Sequence, residues 1–256
     1  MDNLRFAPEG YAILKTNTVS ADHELAAAAG AQMLLVSLLN PGVVGWLTAV
    51  GYTVALATVL AFALRRWGTH VLRPADHVTL ARAVLVGGVT VLVAERAPEG
   101  VVFVSIAAVA LALDAVDGLV ARRTGTASPL GARFDMEVDA FLIMVLSAYV
   151  SFSLGPWVLM IGAMRYVFVA AAWFAPWLRS PLPPSIARKT VAALQGIVLV
   201  VAGLDAVPRP AAAALTVLAL GSLVWSFGRD VSWLWRNRFP AYLEALPVPV
   251  AGEVTG

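Results

Sequence analysis

Seven apolar segments follow one another along the chain, and each is long enough, or nearly so, to cross a lipid bilayer. A hydrocarbon core about 30 Å thick needs about 17–25 helical residues. With 60% hydrophobic and 13% charged residues, the 256-residue chain has more apolar surface than a soluble domain of this length can bury. The sequence therefore predicts an all-α integral membrane protein. Its apolar segments are residues 43–64, 78–94, 100–121, 136–154, 155–177, 189–204 and 207–228.

A shorter apolar run, residues 25–39, ends at the strong turn signal Asn40-Pro41-Gly42. At 1.5 Å per residue this run covers only about 22 Å, so it either spans by including residues 22–24 or re-enters. We expect a spanning hairpin with 43–64, which makes about eight transmembrane helices. The chain then divides into four parts. These are a cytoplasmic segment (residues 1–24), an additional membrane hairpin (25–65), a six-span unit (74–235) and a cytoplasmic tail (236–256).

The positions of lysine and arginine predict the orientation. If residues 65–77 lie inside and each later segment crosses once, fourteen of the eighteen basic residues are cytoplasmic. Only Arg96 and Arg209 lie outside, while Arg82 and Arg165 fall within spans. The excess of inner positive charge favours this topology, with both termini cytoplasmic.

Composition excludes several classes of function. The chain has no cysteine, so disulfides, thiol nucleophiles and cysteine-bound zinc are excluded. Its formal net charge is only +2 and the basic residues are scattered, so we expect no nucleic acid partner.

Two pairs of aspartates interrupt the apolar pattern at one end of neighbouring spans. Asp114 and Asp117 are three residues apart, and Asp135 and Asp139 are four apart, so each pair shares one helix face. The loop between the helices, residues 123–130, is short and cytoplasmic in the predicted topology. The two carboxylate faces can therefore converge.

Four ionised carboxylates in a membrane are costly unless positive charge lies among them. One or two hard divalent cations, Mg²⁺ or Mn²⁺, fit oxygen-only ligands, and such a site could clamp a diphosphate while a P–O bond breaks. Asp139 lies deepest along its helix and could accept a proton. The alternatives are interfacial acids paired with nearby arginines, or a cation or proton pathway. The arginines concerned are Arg122, Arg123 and Arg133.

The aspartates belong to a longer string, D-x2-D-G-x2-A-R-x8-G-x3-D-x3-D, which resembles at every defined position the signature of the CDP-alcohol phosphotransferases. The resemblance extends over about residues 74–235 and includes a six-span plan, whereas residues 1–65 lie outside it. The residues that carry the string are Asp114, Asp117, Gly118, Ala121, Arg122, Gly131, Asp135 and Asp139.

The resemblance implies a metal-dependent enzyme that displaces CMP from a CDP-linked donor, commonly CDP-diacylglycerol, with the hydroxyl of a small polar alcohol. It implies that all four aspartates hold the metals and that Asp139 is also the general base. It further implies that Gly118, Ala121 and Arg122 line the nucleotide pocket, with Asp114 and Gly131 beside the donor. A homodimer is expected on the same grounds.

Residues 76–82, "DHVTLAR", resemble the family element N-x-x-T-x-x-R. Thr79 and Arg82 match and are expected at the donor site, but Asp76 replaces the usual asparagine. An amide contact to the nucleotide is therefore in doubt, and a helix cap is the favoured interpretation of Asp76.

Three further cations are candidates for binding an acceptor phosphate. Arg165 lies mid-span, and its alternative role is an ion pair with Glu137, an acid that points about 200° away from Asp135. Arg188 and Lys189 begin a span on the inner side, where the positive-inside rule alone can explain them. The sequence does not identify the acceptor, and the rival function is a catalytically silent relative or a membrane carrier.

The predicted topology also gives positions for three further acids. Glu95 and Asp205 are expected in external loops and Asp230 on the inner surface, all solvated.

Overall fold

A computed structural model describes residues 21–68, 72–96, 100–124 and 128–238. In the second half of the fourth helix it describes only the backbone at positions 115, 117, 119–122 and 124. Within these ranges the chain forms eight α-helices and two short 3-10 helices, and no strand. The α-helices are α1 (Ala21–Leu39), α2 (Val43–Trp67), α3 (Pro74–Glu95), α4 (Gly100–Thr124), α5 (Pro129–Leu154), α6 (Leu159–Phe174), α7 (Ile186–Ala202) and α8 (Arg209–Arg236); the 3-10 helices are Pro156–Val158 and Pro176–Arg179.

Local sequence signals determine where the helices near the aspartates begin. Ser128 caps α5, because its hydroxyl accepts a hydrogen bond of 2.8 Å from the Gly131 N–H, and Pro129 occupies the first turn. Ser185 caps α7 in the same way, accepting from the Arg188 N–H at 3.4 Å.

Helix α3 lies at the centre of the bundle and packs against α1, α2, α4 and α5. Small and β-branched residues such as Ala83, Val86 and Val89 are fully buried there, and they allow close approach from several sides. The main core continues through Phe103 on α4 and Leu142 on α5. A central helix of this kind brings its polar residues into contact with several neighbours at once.

Five helical segments are long and apolar enough to cross a membrane: Val43–Trp67, Pro74–Glu95, Pro129–Leu154, Pro156–Phe174 and Arg209–Arg236. Large apolar side chains such as Phe62, Trp173 and Phe174 point outward on them, as lipid contact requires. These features indicate an integral membrane protein. The predicted count of eight spans stays a prediction, because α1 and α4 contain shorter apolar runs, His23–Leu39 and Gly100–Asp114, and α7 has 17 residues.

The two N-terminal helices contact each other and α3. Where α1 leads into α2, Glu95, the last residue of α3, accepts a hydrogen bond of 2.5 Å from the Gly45 N–H in the first turn of α2. The expectation that Glu95 is a solvated loop residue is therefore wrong. Its carboxylate satisfies a free N–H at a helix start, where negative charge is stabilised.

Candidate active site

Three aspartates from two helices meet around one point. Asp114 comes from α4, and Asp135 and Asp139 come from successive turns of α5. Each offers a carboxylate oxygen, and these oxygens lie within 4.8 Å of one another. The convergence expected from the two helix faces is therefore present for these three residues.

The cation among them is Arg82 of α3, whose side chain is fully buried. Its Nη1 donates to Asp114 Oδ1 at 2.6 Å, and its Nη2 contacts Asp135 Oδ1 and lies 3.2 Å from Asp139 Oδ1. Nη2 also approaches the Asp135 carbonyl oxygen at 3.2 Å. A buried guanidinium in an apolar helix requires such partners, since desolvation without them costs several kcal/mol.

The structure tests the alternative pairing with neighbouring arginines for Arg123 and Arg133, since the side chain of Arg122 lies outside the described part of the chain. Arg123 and Arg133 are exposed and form no ion pair with an aspartate among the described residues. The positive partner lies on the preceding helix instead. The sequence places Arg82 within a span, where an arginine normally pairs with an acid or with backbone carbonyl oxygens. It does not identify the aspartates as those partners.

One guanidinium does not balance three ionised carboxylates, so the described side chains of the cluster would together carry a net charge of −2. The side chains of Asp114, Asp135 and Asp139 are 43%, 35% and 39% exposed, so their remaining oxygens are accessible. Oxygen-only donors, spacing and excess negative charge suit a hard divalent cation. The residues present therefore fit a Mg²⁺ or Mn²⁺ ion.

The remaining residues of the string lie on the same two helices. Gly118 is half-buried in α4, and Asp117, Ala121 and Arg122 belong to α4 by their backbone, but their side chains lie outside the described part of the chain. Gly131 follows the cap of α5.

Asp76 caps α3, as the sequence predicted. Its Oδ2 accepts a hydrogen bond of 2.9 Å from the Arg73 N–H, and the residue is 3% exposed. Its Oδ1 occupies the space that a Cβ at Gly131 would need, so the start of α3 packs directly on the start of α5. Thr79 is buried one turn later and donates to the Ala75 carbonyl oxygen at 3.3 Å.

Comparison with known proteins decides the family. A protein-family model described as CDP-alcohol phosphatidyltransferase matches residues 72–225, which is more than half of the chain. The chain belongs to the CDP-alcohol phosphatidyltransferase family. Searches of curated proteins and of solved structures gave no match.

Membership confirms the resemblance seen in the aspartate string. CDP-alcohol phosphatidyltransferases are metal-dependent and transfer a phosphate-containing group from a CDP-alcohol donor to an alcohol acceptor. The matched range begins just before α3 and ends within α8, so it includes every helix of the aspartate site and excludes α1 and α2.

Arg165, one of the candidate phosphate ligands, is bound to Glu137. Its Nη2 lies 2.5 Å from Glu137 Oε1, and the two side chains are 29% and 57% exposed. Glu137 lies two positions after Asp135 on the helix, and two steps of about 100° turn it about 200° from the aspartate face. The structure thus forms the ion pair that the sequence left open, on the other side of α5.

Arg188 belongs to a second polar cluster at the start of α7. Its Nη1 lies 3.1 Å from Asp230 Oδ2 and its Nη2 donates to the Pro183 carbonyl oxygen at 2.6 Å. Arg229 joins the cluster through Ser185 Oγ at 3.1 Å and Asp230 Oδ1 at 3.5 Å. Asp230 is only 14% exposed, so the expectation that it is solvated is wrong. Lys189 is exposed.

Proposed function

We propose that this CDP-alcohol phosphatidyltransferase transfers the phosphatidyl group of CDP-diacylglycerol to the hydroxyl of a small polar alcohol, with release of CMP. The observation that carries the proposal is the cluster of Asp114, Asp135 and Asp139 around Arg82, in a chain of this family. Apolar helices on all sides suit a donor with two acyl chains.

The proposed chemistry is a single displacement at the phosphorus that carries the diacylglycerol. The acceptor oxygen attacks this phosphorus, the bond to the bridging diphosphate oxygen breaks, and that oxygen leaves as part of CMP. The acceptor proton goes to the carboxylate of Asp139. A carboxylate in this position acts as a general base, which contributes about 10²–10⁴-fold to such reactions.

Asp114, Asp117, Asp135 and Asp139 are the proposed ligands of two Mg²⁺ or Mn²⁺ ions. When bound, such ions would neutralise the charge of the diphosphate during the displacement. The other proposed donor contacts are made by Thr79, Arg82, Asp114, Gly118, Ala121, Arg122 and Gly131.

For an acceptor with its own phosphate, Arg188 and Lys189 are the proposed contacts. Arg229, which sequence reasoning did not single out, lies beside Arg188 and can reinforce it. We assign Arg165 the ion-pair role, because Glu137 holds it on the face of α5 away from the aspartates.

The proposed arrangement in the membrane follows the distribution of basic residues. The aspartate site lies on the cytoplasmic side with both termini, residues 74–235 form the catalytic unit, and residues 25–65 form an additional hairpin. Lipid and a second copy of the chain, as a homodimer, are the proposed partners.

A turnover assay with the purified full chain tests the function. CDP-diacylglycerol is supplied with a panel of acceptors that includes serine, glycerol phosphate and inositol phosphate, and CMP and the lipid product are measured by mass spectrometry. We expect CMP release only with one acceptor class, its loss in EDTA and its recovery with Mg²⁺ or Mn²⁺. Retained metal binding without turnover on any acceptor would favour the silent relative or carrier.

A further inference from the structure

A groove of about 380 Å³ lies away from the aspartates, at the ends of α3, α5, α7 and α8. Its charged and hydroxyl-bearing side chains are Arg96, Arg209, Asp205, Tyr149 and Ser153. Apolar side chains, among them Phe152, Leu204 and Val207, form the remaining walls. The groove therefore combines cations with a surface that can contact hydrocarbon.

The groove and the aspartate site lie at opposite ends of the bundle. Ser153 follows Asp135 by eighteen residues on the same continuous helix, α5, which corresponds to about 27 Å at 1.5 Å per residue. Arg96 follows Arg82 by fourteen residues, or about 21 Å. These separations approach the thickness of a bilayer core, about 30 Å. The groove is thus at the membrane surface opposite the aspartates.

Its electrostatics favour an anion. Arg96 and Arg209 are exposed, and neither forms an ion pair with any of the described residues. Asp205 also lines the groove, and its Oδ2 lies 2.5 Å from where a Cβ at Gly100 would be, at the first residue of α4. Helix starts stabilise negative charge, so the Asp205 carboxylate is partly offset there. Among the described side chains of the groove, two guanidinium groups face one carboxylate, which leaves one net positive charge.

Arg96 combines an unusual backbone conformation with an aromatic contact of its side chain. It ends α3 with φ of 55°, a left-handed conformation that glycine adopts more readily. Its guanidinium lies 5.3 Å from the centroid of the Phe152 ring, which lines the groove. Such a contact presents the N–H groups of arginine edgewise while the ring supports its face.

We propose that this groove binds the phosphodiester of a phospholipid headgroup in the leaflet opposite the aspartate site. Arg96 and Arg209 would donate to the phosphate oxygens, since guanidinium groups match them in geometry and charge. The apolar walls would contact the glycerol backbone and the first acyl carbons. Soluble phosphate esters share the phosphate chemistry, so the experiment separates the two sources.

The test uses a single thiol placed in the groove. Because the sequence contains no cysteine, Ser153→Cys in the full chain, purified in detergent, gives one alkylation site. Its reaction with a water-soluble maleimide is followed with dihexanoylphosphatidylglycerol, with dihexanoylglycerol and with glycerol 3-phosphate at equal concentrations. We expect only the phospholipid to slow alkylation, by about tenfold.

Variants on the Ser153→Cys background identify the contacts. Arg96→Gln with Arg209→Gln should reduce the protection to less than about twofold, whereas Arg96→Lys, which keeps the charge but loses the planar guanidinium, should retain part of it. Ser180→Cys, an exposed position outside the groove, is the control thiol and should show no protection. Matching melting temperatures establish that the variants are folded.

Three results would overturn the proposal. Equal protection by dihexanoylglycerol would mean that the groove recognises hydrocarbon and not phosphate. Undiminished protection in the double glutamine variant would remove the two arginines from the contact. Protection by glycerol 3-phosphate as strong as that by the phospholipid would make a soluble phosphate ester the ligand.

Discussion

The two faces of α5 carry carboxylates only two residues apart, yet the structure uses them differently. Asp135 and Asp139 face the buried guanidinium of Arg82, which they share with Asp114. Glu137, on the other face, pairs with Arg165, its one ion-pair partner among the described residues, and both side chains remain partly exposed. The first arrangement leaves excess negative charge and open oxygens, whereas the second is already neutral. Acids in an apolar helix are therefore not enough to indicate a binding site. The aspartate cluster differs from the Glu137–Arg165 ion pair because it has more carboxylates than cations.

The largest expected difference between the two faces of α5 is in kcat. Asp139→Asn removes the proposed base and should lower kcat by about 10²–10⁴-fold. Glu137→Gln makes the same chemical change on the other face and should alter kcat by less than about threefold. Initial rates of CMP release measure both. Substantial turnover by Asp139→Asn would remove the base assignment.

A difference in stability should separate the two arginines. Arg82→Gln leaves three carboxylates without their buried cation, and we expect the free energy of unfolding to fall by about 3–5 kcal/mol. Arg165→Gln breaks a partly exposed pair and should cost less than about 1 kcal/mol. Denaturation of the purified variants in detergent provides the measurement. Equal losses would mean that the two pairs are energetically alike.

A smaller difference is expected in the acceptor KM, between substitutions of Arg188 and of Arg165. With a phosphorylated acceptor, Arg188→Gln should raise the acceptor KM about tenfold, because one charge-assisted hydrogen bond is lost, and should leave kcat nearly unchanged. Arg165→Gln should leave this KM unaffected. If Arg165→Gln raises KM while Glu137→Gln does not, Arg165 contacts the acceptor and its role as an ion pair is secondary.

The smallest expected effect is the coupling between Glu137 and Arg165. A double-mutant cycle with Glu137→Gln and Arg165→Gln should give an interaction energy below about 1 kcal/mol, since the pair is solvent-accessible. A coupling of several kcal/mol would show that this face of α5 contributes to the fold as strongly as the other.

Much of this contrast could be predicted from the sequence. Spacings of three and four residues place Asp114, Asp135 and Asp139 on defined helix faces, and the short loop after α4 brings those faces to one end of the bundle. The angle between Glu137 and Asp135 follows from helical periodicity alone. Apolar length predicts the helices themselves, because hydrophobicity dominates in lipid.

Other features depend on which helices pack beside each other, and the periodicity within one helix does not determine that packing. Nothing in α3 alone indicates that Arg82 reaches acids on both α4 and α5. Glu95 was assigned to a loop because it follows an apolar run, but its role depends on the start of α2 lying beside it. Asp230 is half-buried because α7 brings Arg188 against α8. These contacts join residues 32 or more positions apart, the smallest separation being that of Arg82 and Asp114.

The shared guanidinium of Arg82 also restricts how the protein can move. Because it contacts α4 through Asp114 and α5 through Asp135, sliding or parting these helices by more than about an ångström would break charged hydrogen bonds in an apolar interior. Helices α3, α4 and α5 are therefore expected to behave as one rigid body. Any opening that admits a bulky lipid has to come from displacement of α6, α7 or α8 relative to it.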